Sequence, residues 1–207
     1  MTGEVATLVA AVGCLIALAG LVVVAVVALR RTRRRAAPAT GPVDPFHTGD
    51  VDALRGNPRT LQPGAIVEIR SRTYVVRGSL RFTEGAWSWS EHLLDDAADG
   101  RVWLSVEEDP DLRLTLWTSV PTATVTPDQP TVDFAGRRYT RHETGQARYT
   151  ATGATGLDPT GTVRYADYAA PDGALLSFES FGDSGRWEVS LGERLHRAEV
   201  MIYPQAT

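Results

Sequence analysis

The chain has 207 residues, a formal net charge of −4 and one cysteine, Cys14, which excludes an intramolecular disulfide and a cysteine-based zinc site and fits a reducing compartment. All 21 basic residues are arginine, and from Ala36 onward 16 arginines stand against 24 acids, a net −8. Such a body repels a phosphate backbone, so nucleic acid is excluded as a partner.

In chain order, the first element is the apolar run Val5 to Leu29, followed at once by Arg30, Arg31, Arg33, Arg34 and Arg35. As a helix, 25 residues at ~1.5 Å each reach ~37 Å, enough to span ~30 Å of hydrocarbon. The arginines oppose translocation of their side, and Met1 to Glu4 carry no basic residue to compete. Residues 1–35 are therefore predicted to be a single transmembrane helix with a basic stop-transfer, its N-terminus outside and the C-terminal domain cytoplasmic, in the cell membrane. The same arginines anchor the chain to anionic lipid of the bilayer. A secretory signal peptide would carry its charge on the other side of a shorter apolar core. Ala11-Val12-Gly13 before Cys14 is a poor lipobox.

Residues 36–63 read as a tether, because Pro38, Pro42, Pro45, Pro58 and Pro63 with Gly41, Gly49 and Gly56 deny both helix and ladder to most of the stretch. Only Asp50 to Arg55 offers a helical turn. His47 there is a solvated side chain.

From Gly64 the pattern turns to period two. Val67-Glu68-Ile69, Tyr74 to Arg77, Trp87 to Ser90, Val102 to Val106 and Leu112 to Leu116 are short, β-branched or aromatic segments separated by turn signals such as Glu84-Gly85 and Asp109-Pro110. They predict antiparallel strands with one buried face. Glu91 to Ala98 is expected to be a helical turn or a long loop. The pattern also recurs: Arg72-Thr73-Tyr74 is answered by Arg137-Arg138-Tyr139, Trp89-Ser90-Glu91 by Tyr165-Ala166-Asp167, and Leu104-Ser105-Val106-Glu107 by Leu176-Ser177-Phe178-Glu179. The expected fold is all-β: two pseudo-repeated antiparallel units, about 64–118 and 131–203 within a domain of residues 64–204. Each is too small for a core of its own and shares one with the other, behind the single N-terminal transmembrane helix.

These residues resemble a family. The Pro-Gly entry to Tyr74-Val75-Val76-Arg77-Gly78, the segment Trp87 to Leu94, Trp103 to Glu108, Gly136 to Tyr139, Val163 to Tyr168 and Leu176 to Glu179 together resemble the domain of unknown function DUF4178, in its membrane-anchored actinobacterial form. The likeness runs from about Leu61 to Pro204. It implies no activity and no catalytic residues to carry over, and hints only at the cell envelope.

No catalytic signature stands out. Gly182-Asp183-Ser184-Gly185 matches a protease nucleophile tetrapeptide but lacks the histidine context and reads as a hairpin turn. Glu107, Glu108, Asp109 and Asp111 read as a solvated strand-end turn, since the glycine and closing glutamate of a calcium loop are missing. The candidates for chemistry are Glu91, His92, Glu107, Asp167 and Glu179: if the repeats pack about a pseudo-twofold axis, Glu91 matches Asp167 and Glu107 matches Glu179, with His92 or His142 close. The five tryptophans are expected to pack first and to bind second. The function expected is that of a noncatalytic, membrane-tethered cytoplasmic module with no cofactor and no metal. It binds another membrane or cytoplasmic protein, or a small molecule, at the inner membrane face in envelope maintenance. The alternative is a membrane-anchored enzyme or a metal or polyamine sensor using the paired carboxylates. Convergence of the five candidates in one concave site favours the alternative, and dispersion disposes of it.

Overall fold

The computed structural model describes residues 51–95 and 101–203. The predicted membrane helix of residues 1–35, its arginines and residues 36–50 of the tether lie outside them. Among the described residues no helix is long and apolar enough to cross a membrane.

One short helix, α1 (Val51–Arg55), and a 3-10 turn at Pro58–Thr60 precede eleven strands. The strands are β1 (Ile66–Ile69), β2 (Arg72–Glu84), β3 (Trp87–Asp95), β4 (Val102–Glu108), β5 (Leu112–Ser119), β6 (Thr131–Phe134), β7 (Arg137–Gly153), β8 (Thr160–Ala169), β9 (Leu175–Phe181), β10 (Glu188–Leu195) and β11 (Val200–Tyr203). All pair antiparallel in a sheet ordered β11-β1-β2-β3-β4-β5-β10-β9-β8-β7-β6, and β2 pairs in addition with β7. That extra pairing closes β2, β3, β4, β5, β10, β9, β8 and β7 into an eight-stranded barrel.

Two long strands make closure possible. The first part of β2 pairs with β1, from Ile69↔Arg72 to Ile66↔Val75; after a bulge at Arg77 the same edge pairs with β7, from Gly78↔Gly153 to Thr83↔Arg148. Strand β7 repeats the arrangement, pairing first with β6, bulging at His142, and then meeting β2. A bulge inserts one residue against none on the partner, so the side chains after it point to the other face. Tyr74 and Val76 therefore bury outside the ring, while Leu80 and Phe82, still in step with them along the chain, bury inside it.

Outside the ring, β1, β11 and the first part of β2 fold over β3, β4 and β5. Val67, Ile69, Tyr74, Val76 and Val200 of this flap pack on Leu94, Leu104, Val106 and Leu114. On the other half, Val132 of β6 and Tyr139 of β7 pack on Ala166, Tyr168, Leu176, Phe178 and Val189. A third cluster, Leu80, Phe82, Ala147, Tyr149 and Val163, fills one part of the ring interior. The expected shared core is divided: Leu104 and Leu176 are both fully buried but lie under separate flaps, while Leu195 and Val200 of the second unit join the first cluster and the interior cluster draws on both units.

Two further expectations change. Glu91 to Asp95 is strand, not helical turn, since these residues pair with both β2 and β4. The last part of the tether is docked on the body: Leu61 joins the first core, and Arg59 bridges Asp52 at 2.8 Å and Glu108 at 2.8 Å. Arg197 holds Asp52 from the other side at 2.8 Å.

Candidate functional site

Residues opposite one another in antiparallel strands share a face, and the registers give the inner face of the barrel residue by residue. Trp89 stands opposite Glu107, Glu91 opposite Ser105, Ser105 opposite Thr115, Trp103 opposite Trp117, Asp167 opposite Ser177, and Tyr165 opposite Glu179. That this face points inward follows from rings that meet across the lumen: Trp89 of β3 and Tyr165 of β8 are not neighbours in the sheet, yet their ring centroids are 5.7 Å apart, edge to face. Phe82 stacks on Trp89 at 5.0 Å and meets Tyr149 edge-on at 6.2 Å. The rings close one part of the lumen and leave the rest as a cavity of about 520 Å³.

Room for those rings comes from glycine. Gly145 stands opposite Tyr165, and Gly192 opposite Trp117. A Cβ added at Gly145 would lie 2.5 Å from the Tyr165 hydroxyl, and one at Gly192 would run into the Trp117 ring. Each aromatic lies along the wall over a strand position that has no side chain.

Four of the five residues singled out in the sequence, Glu91, Glu107, Asp167 and Glu179, line this cavity. His92 does not. Its side chain points outward, is 3% exposed, and has Nδ1 2.8 Å from Ser79 Oγ. Burial and the nearby Arg81 charge hold its pKa down to about 4. It is a neutral, hydrogen-bonded core histidine, placed there because it follows Glu91 on a strand and adjacent residues face opposite ways.

The four lumen carboxylates have different fates. Glu107 is paired with Arg113, Oε1 to Nη2, at 2.5 Å. Glu91, Asp167 and Glu179 have no arginine partner among the described residues. Their side chains retain some accessible surface because the lumen admits a water-sized sphere, but protein surrounds them. Burial, and then the Asp167 charge, push the Glu91 carboxyl up to about 8. Burial raises Glu179 well above the carboxylate range, reinforced by Glu91, Asp167 and Glu188. Asp167 rises to about 6, through burial and through Glu143 and Glu107, against a hydrogen bond from Ser177 that favours its charged form. Asp167 Oδ1 is fully enclosed and has no hydrogen-bond partner among the described residues, and the same holds for Arg113 Nε.

The alternation around Glu91 and Asp167 also brings in residues that no motif marks. At one end of the cavity the Tyr165 hydroxyl donates to Glu84 Oε2 at 2.5 Å and lies 3.3 Å from Glu143; burial, then the Glu84 hydrogen bond, raise its pKa. Glu84 also accepts from the Gln146 backbone N–H at 3.2 Å. His142, expected from the sequence, like His92, to lie close to the carboxylates, does line the cavity at the β7 bulge, as do Glu143, Arg113, Thr115 and Trp117. Trp87, 59% exposed, stands at its rim. The readable signal was the run of polar residues at every second strand position; what hid it was that the opposite face is apolar, so these positions read as solvent-facing. Of the acidic turn, Glu108 instead anchors Arg59, while Asp109 and Asp111 are exposed.

Comparison with known proteins places the chain. The model of the family described as Domain of unknown function (DUF4178) matches residues 62–197. The chain belongs to the DUF4178 family. Proteins described as uncharacterised from Mycobacterium bovis and from two strains of Mycobacterium tuberculosis are each 39% identical to it over 191 residues, 88% of this chain and 89% of theirs. No solved structure matches. Both halves of the DUF4178 barrel, and with them all the lumen carboxylates, fall inside the matched residues.

Proposed function

We propose that this DUF4178 protein is a noncatalytic β module tethered to the cell membrane by residues 1–35, with its body on the cytoplasmic side. It takes a small molecule into the barrel lumen and serves envelope maintenance beside the bilayer and another membrane or cytoplasmic protein. The observation that carries the reading is that Glu91, Asp167 and Glu179, from both halves of the chain, line one partly open cavity with no arginine ion-paired to them. Burying carboxyls without a cationic partner costs stability, which hydrogen bonds from Trp89 to Glu91 and from Ser177 to Asp167 offset only in part. A fold that holds three of them together, walled by Trp89, Trp117 and Tyr165, has the composition of a binding pocket: apolar walls with a few convergent polar groups.

The two halves are, on this reading, copies of one unit. Strands β1 to β5 and β6 to β10 follow in the same order, Tyr74 and Tyr139 hold the third place of β2 and β7, and each of those strands bulges once. Matching Gly78 with Gly145 matches Phe82 with Tyr149, which are direct partners across β2 and β7; matching Leu114 with Val189 likewise matches Trp117 with Gly192, partners across β5 and β10. Carried through the registers from the Trp117–Gly192 pair, the match relates Glu91 to Asp167 and Glu107 to Glu179, whereas the Phe82–Tyr149 pair sets Glu91 against Val163, so the two copies differ in stagger. The relatives match over 88% of the chain, more than the β body alone makes up, so their likeness extends into the N-terminal segment.

Thermal unfolding of the full-length protein in detergent against a panel of small molecules of differing charge tests the binding. A lumen ligand raises the midpoint, and Ser105→Trp, which fills the cavity beside Glu91, removes the response. No response from any compound, with S105W indistinguishable from the parent, contradicts the reading. Fusion of a reporter active only outside the membrane after Thr207 tests the topology; activity there contradicts a cytoplasmic body.

The convergence of the carboxylates also supports the second reading, an enzyme or a metal or polyamine sensor at the membrane, with Glu91 held protonated near neutral pH as an acid. Its metal branch has less behind it, since among the described residues no group of three or more histidine, cysteine, aspartate or glutamate side chains is disposed to hold an ion. Turnover of the ligand found in the panel, lost in E91Q, would distinguish an enzyme from a binder.

A further inference from the structure

We propose that the lumen ligand is an organic ammonium ion, its nitrogen between Glu91, Asp167 and Glu179 and its carbon body against Trp89, Trp117 and Tyr165. The inference rests on the lumen-binding reading and names the ligand's class.

Charge comes first. Eight acids and two arginines line the cavity. Of these, Arg113 is engaged by Glu107, Glu108 by Arg59, and Arg194 is exposed at the rim. The remaining excess is negative, which repels an anion and concentrates a cation.

Hydrogen bonding narrows the choice. The enclosed Asp167 Oδ1 has no donor among the described residues, although a buried carboxylate oxygen is costly to leave unpaired. An ammonium group brings up to three N–H donors and can satisfy Asp167 Oδ1 without a close-packed set of oxygen ligands around it. A bare divalent cation instead needs about six oxygens at 2.0–2.6 Å, and no such set is disposed around the site. The walls then favour an organic cation over a hydrated inorganic one: Trp89 and Tyr165, edge to face at 5.7 Å, line the same cavity as the acids, and so does Trp117, which packs over Gly192. Aromatic surface attracts an alkylammonium twice, through the ring quadrupole and by covering its methylene groups. A cavity of about 520 Å³ is in the range that encloses a small metabolite.

The site's own protons then become part of binding. Without a cation, burial and neighbouring acids raise Glu91 and Glu179 far enough to hold protons near neutral pH, while Asp167, raised to about 6, is mostly ionised there. An arriving ammonium ion stabilises the ionised forms, and the displaced protons leave to solvent. Uptake is thus an exchange of an organic cation for protons.

Isothermal titration calorimetry of the full-length protein in detergent at pH 7 tests this with 1,4-diaminobutane and n-butylamine, with 1,4-butanediol as the uncharged counterpart and with magnesium ion alone. The expected result is that at least one amine binds, with an enthalpy that changes between buffers of different ionisation heat because protons are released. The diol and magnesium ion should bind at least about tenfold more weakly. Asp167→Asn should weaken the amine by about tenfold or more, as loss of a charged hydrogen-bond acceptor does. If D167N fails to fold, the isosteric Glu91→Gln reads the same loss. Equal binding of diol and amine, binding of magnesium ion in place of the amines, or undiminished amine binding in both variants overturns the ammonium assignment. A neutral or anionic compound that binds the parent and not S105W, with the amines inert, overturns it too while leaving the lumen reading standing. If S105W also matches the parent against every compound, both fall.

Discussion

The two cores under the flaps and the barrel lumen are opposite faces of the same strands, and they are built to different ends. Under the flaps, Leu104, Leu176 and Phe178 are fully buried among apolar neighbours. One residue along the chain, the side chains at Ser105, Ser177 and Glu179 face a cavity with acids and few partners. Burial on the outer face lowers the free energy of the fold, whereas burial on the inner face raises the pKa of Glu91, Asp167 and Glu179 and works against it. The contrast teaches that this barrel is held together by its flaps and by the apolar cluster around Phe82 in one part of the lumen, so that the rest of its interior is free to carry chemistry that a packed core would exclude.

The largest effect should come from breaking the outer face. Leu104→Ala and Leu176→Ala should each cost ~2–5 kcal/mol, and, because the barrel is closed through both halves, each should lower a single denaturant transition. Two separated transitions with only the mutated half weakened would show that the flaps, not the ring, define independent domains. Gly192→Ala tests the inner wall. Its Cβ meets the Trp117 ring, so it should cost ~1–3 kcal/mol by overpacking, and Trp117 fluorescence should shift as the ring moves; an unperturbed emission spectrum would mean that the ring does not lie on the glycine.

The third prediction concerns sign. Glu91 and Asp167 stand at about 8 and about 6 in the fold against ordinary values of 4.5 and 3.8, so over that window the folded protein holds more protons than the unfolded chain. Stability without ligand should therefore fall as pH rises from about 4 to about 8, most steeply between about 4.5 and 6, where both groups differ, and more gently on to 8, where Glu91 alone of the two still does. Glu107, Glu143, Glu188 and His142 also act on this cluster. Glu91→Gln should raise the melting temperature at pH 9 and leave it nearly unchanged at pH 4.5, whereas a parallel drop at both would mean that Glu91 is held by a structural bond. The smallest effect belongs to the outer surface: Arg138→Ala, which breaks the exposed pair with Asp133, should leave the midpoint unmoved within error.

Period two in the sequence carried the strands and the order of the recurring segments, because half-buried strands bind their composition to their faces. It did not carry the barrel. Along β2 the buried residues Tyr74, Val76, Leu80 and Phe82 keep one unbroken alternation while the bulge at Arg77 turns them from flap to lumen, and no residue type announces that turn. The same ambiguity made Glu91 and His92 look like neighbours in one site when strand geometry sends them to opposite faces. Arg113 was invisible as the partner of Glu107 for another reason: the pairing depends on the β4–β5 register, which is a tertiary fact. The end of the tether departs from the expected spacer, since a proline-rich segment can still bury Pro58 and Leu61 when a core is there to receive them.

The central claim is that Glu91, Asp167 and Glu179 are buried in the lumen without an arginine partner and accept a cation there. Carboxyl ¹³C chemical shifts of the full-length protein in detergent, followed from pH 3 to pH 10 with and without 1,4-diaminobutane, test it most directly. The account predicts that Glu91 titrates near 8 and Asp167 near 6, and that both midpoints fall when the diamine is added. Midpoints at the ordinary values of 4.5 and 3.8, unmoved by the diamine, would contradict it.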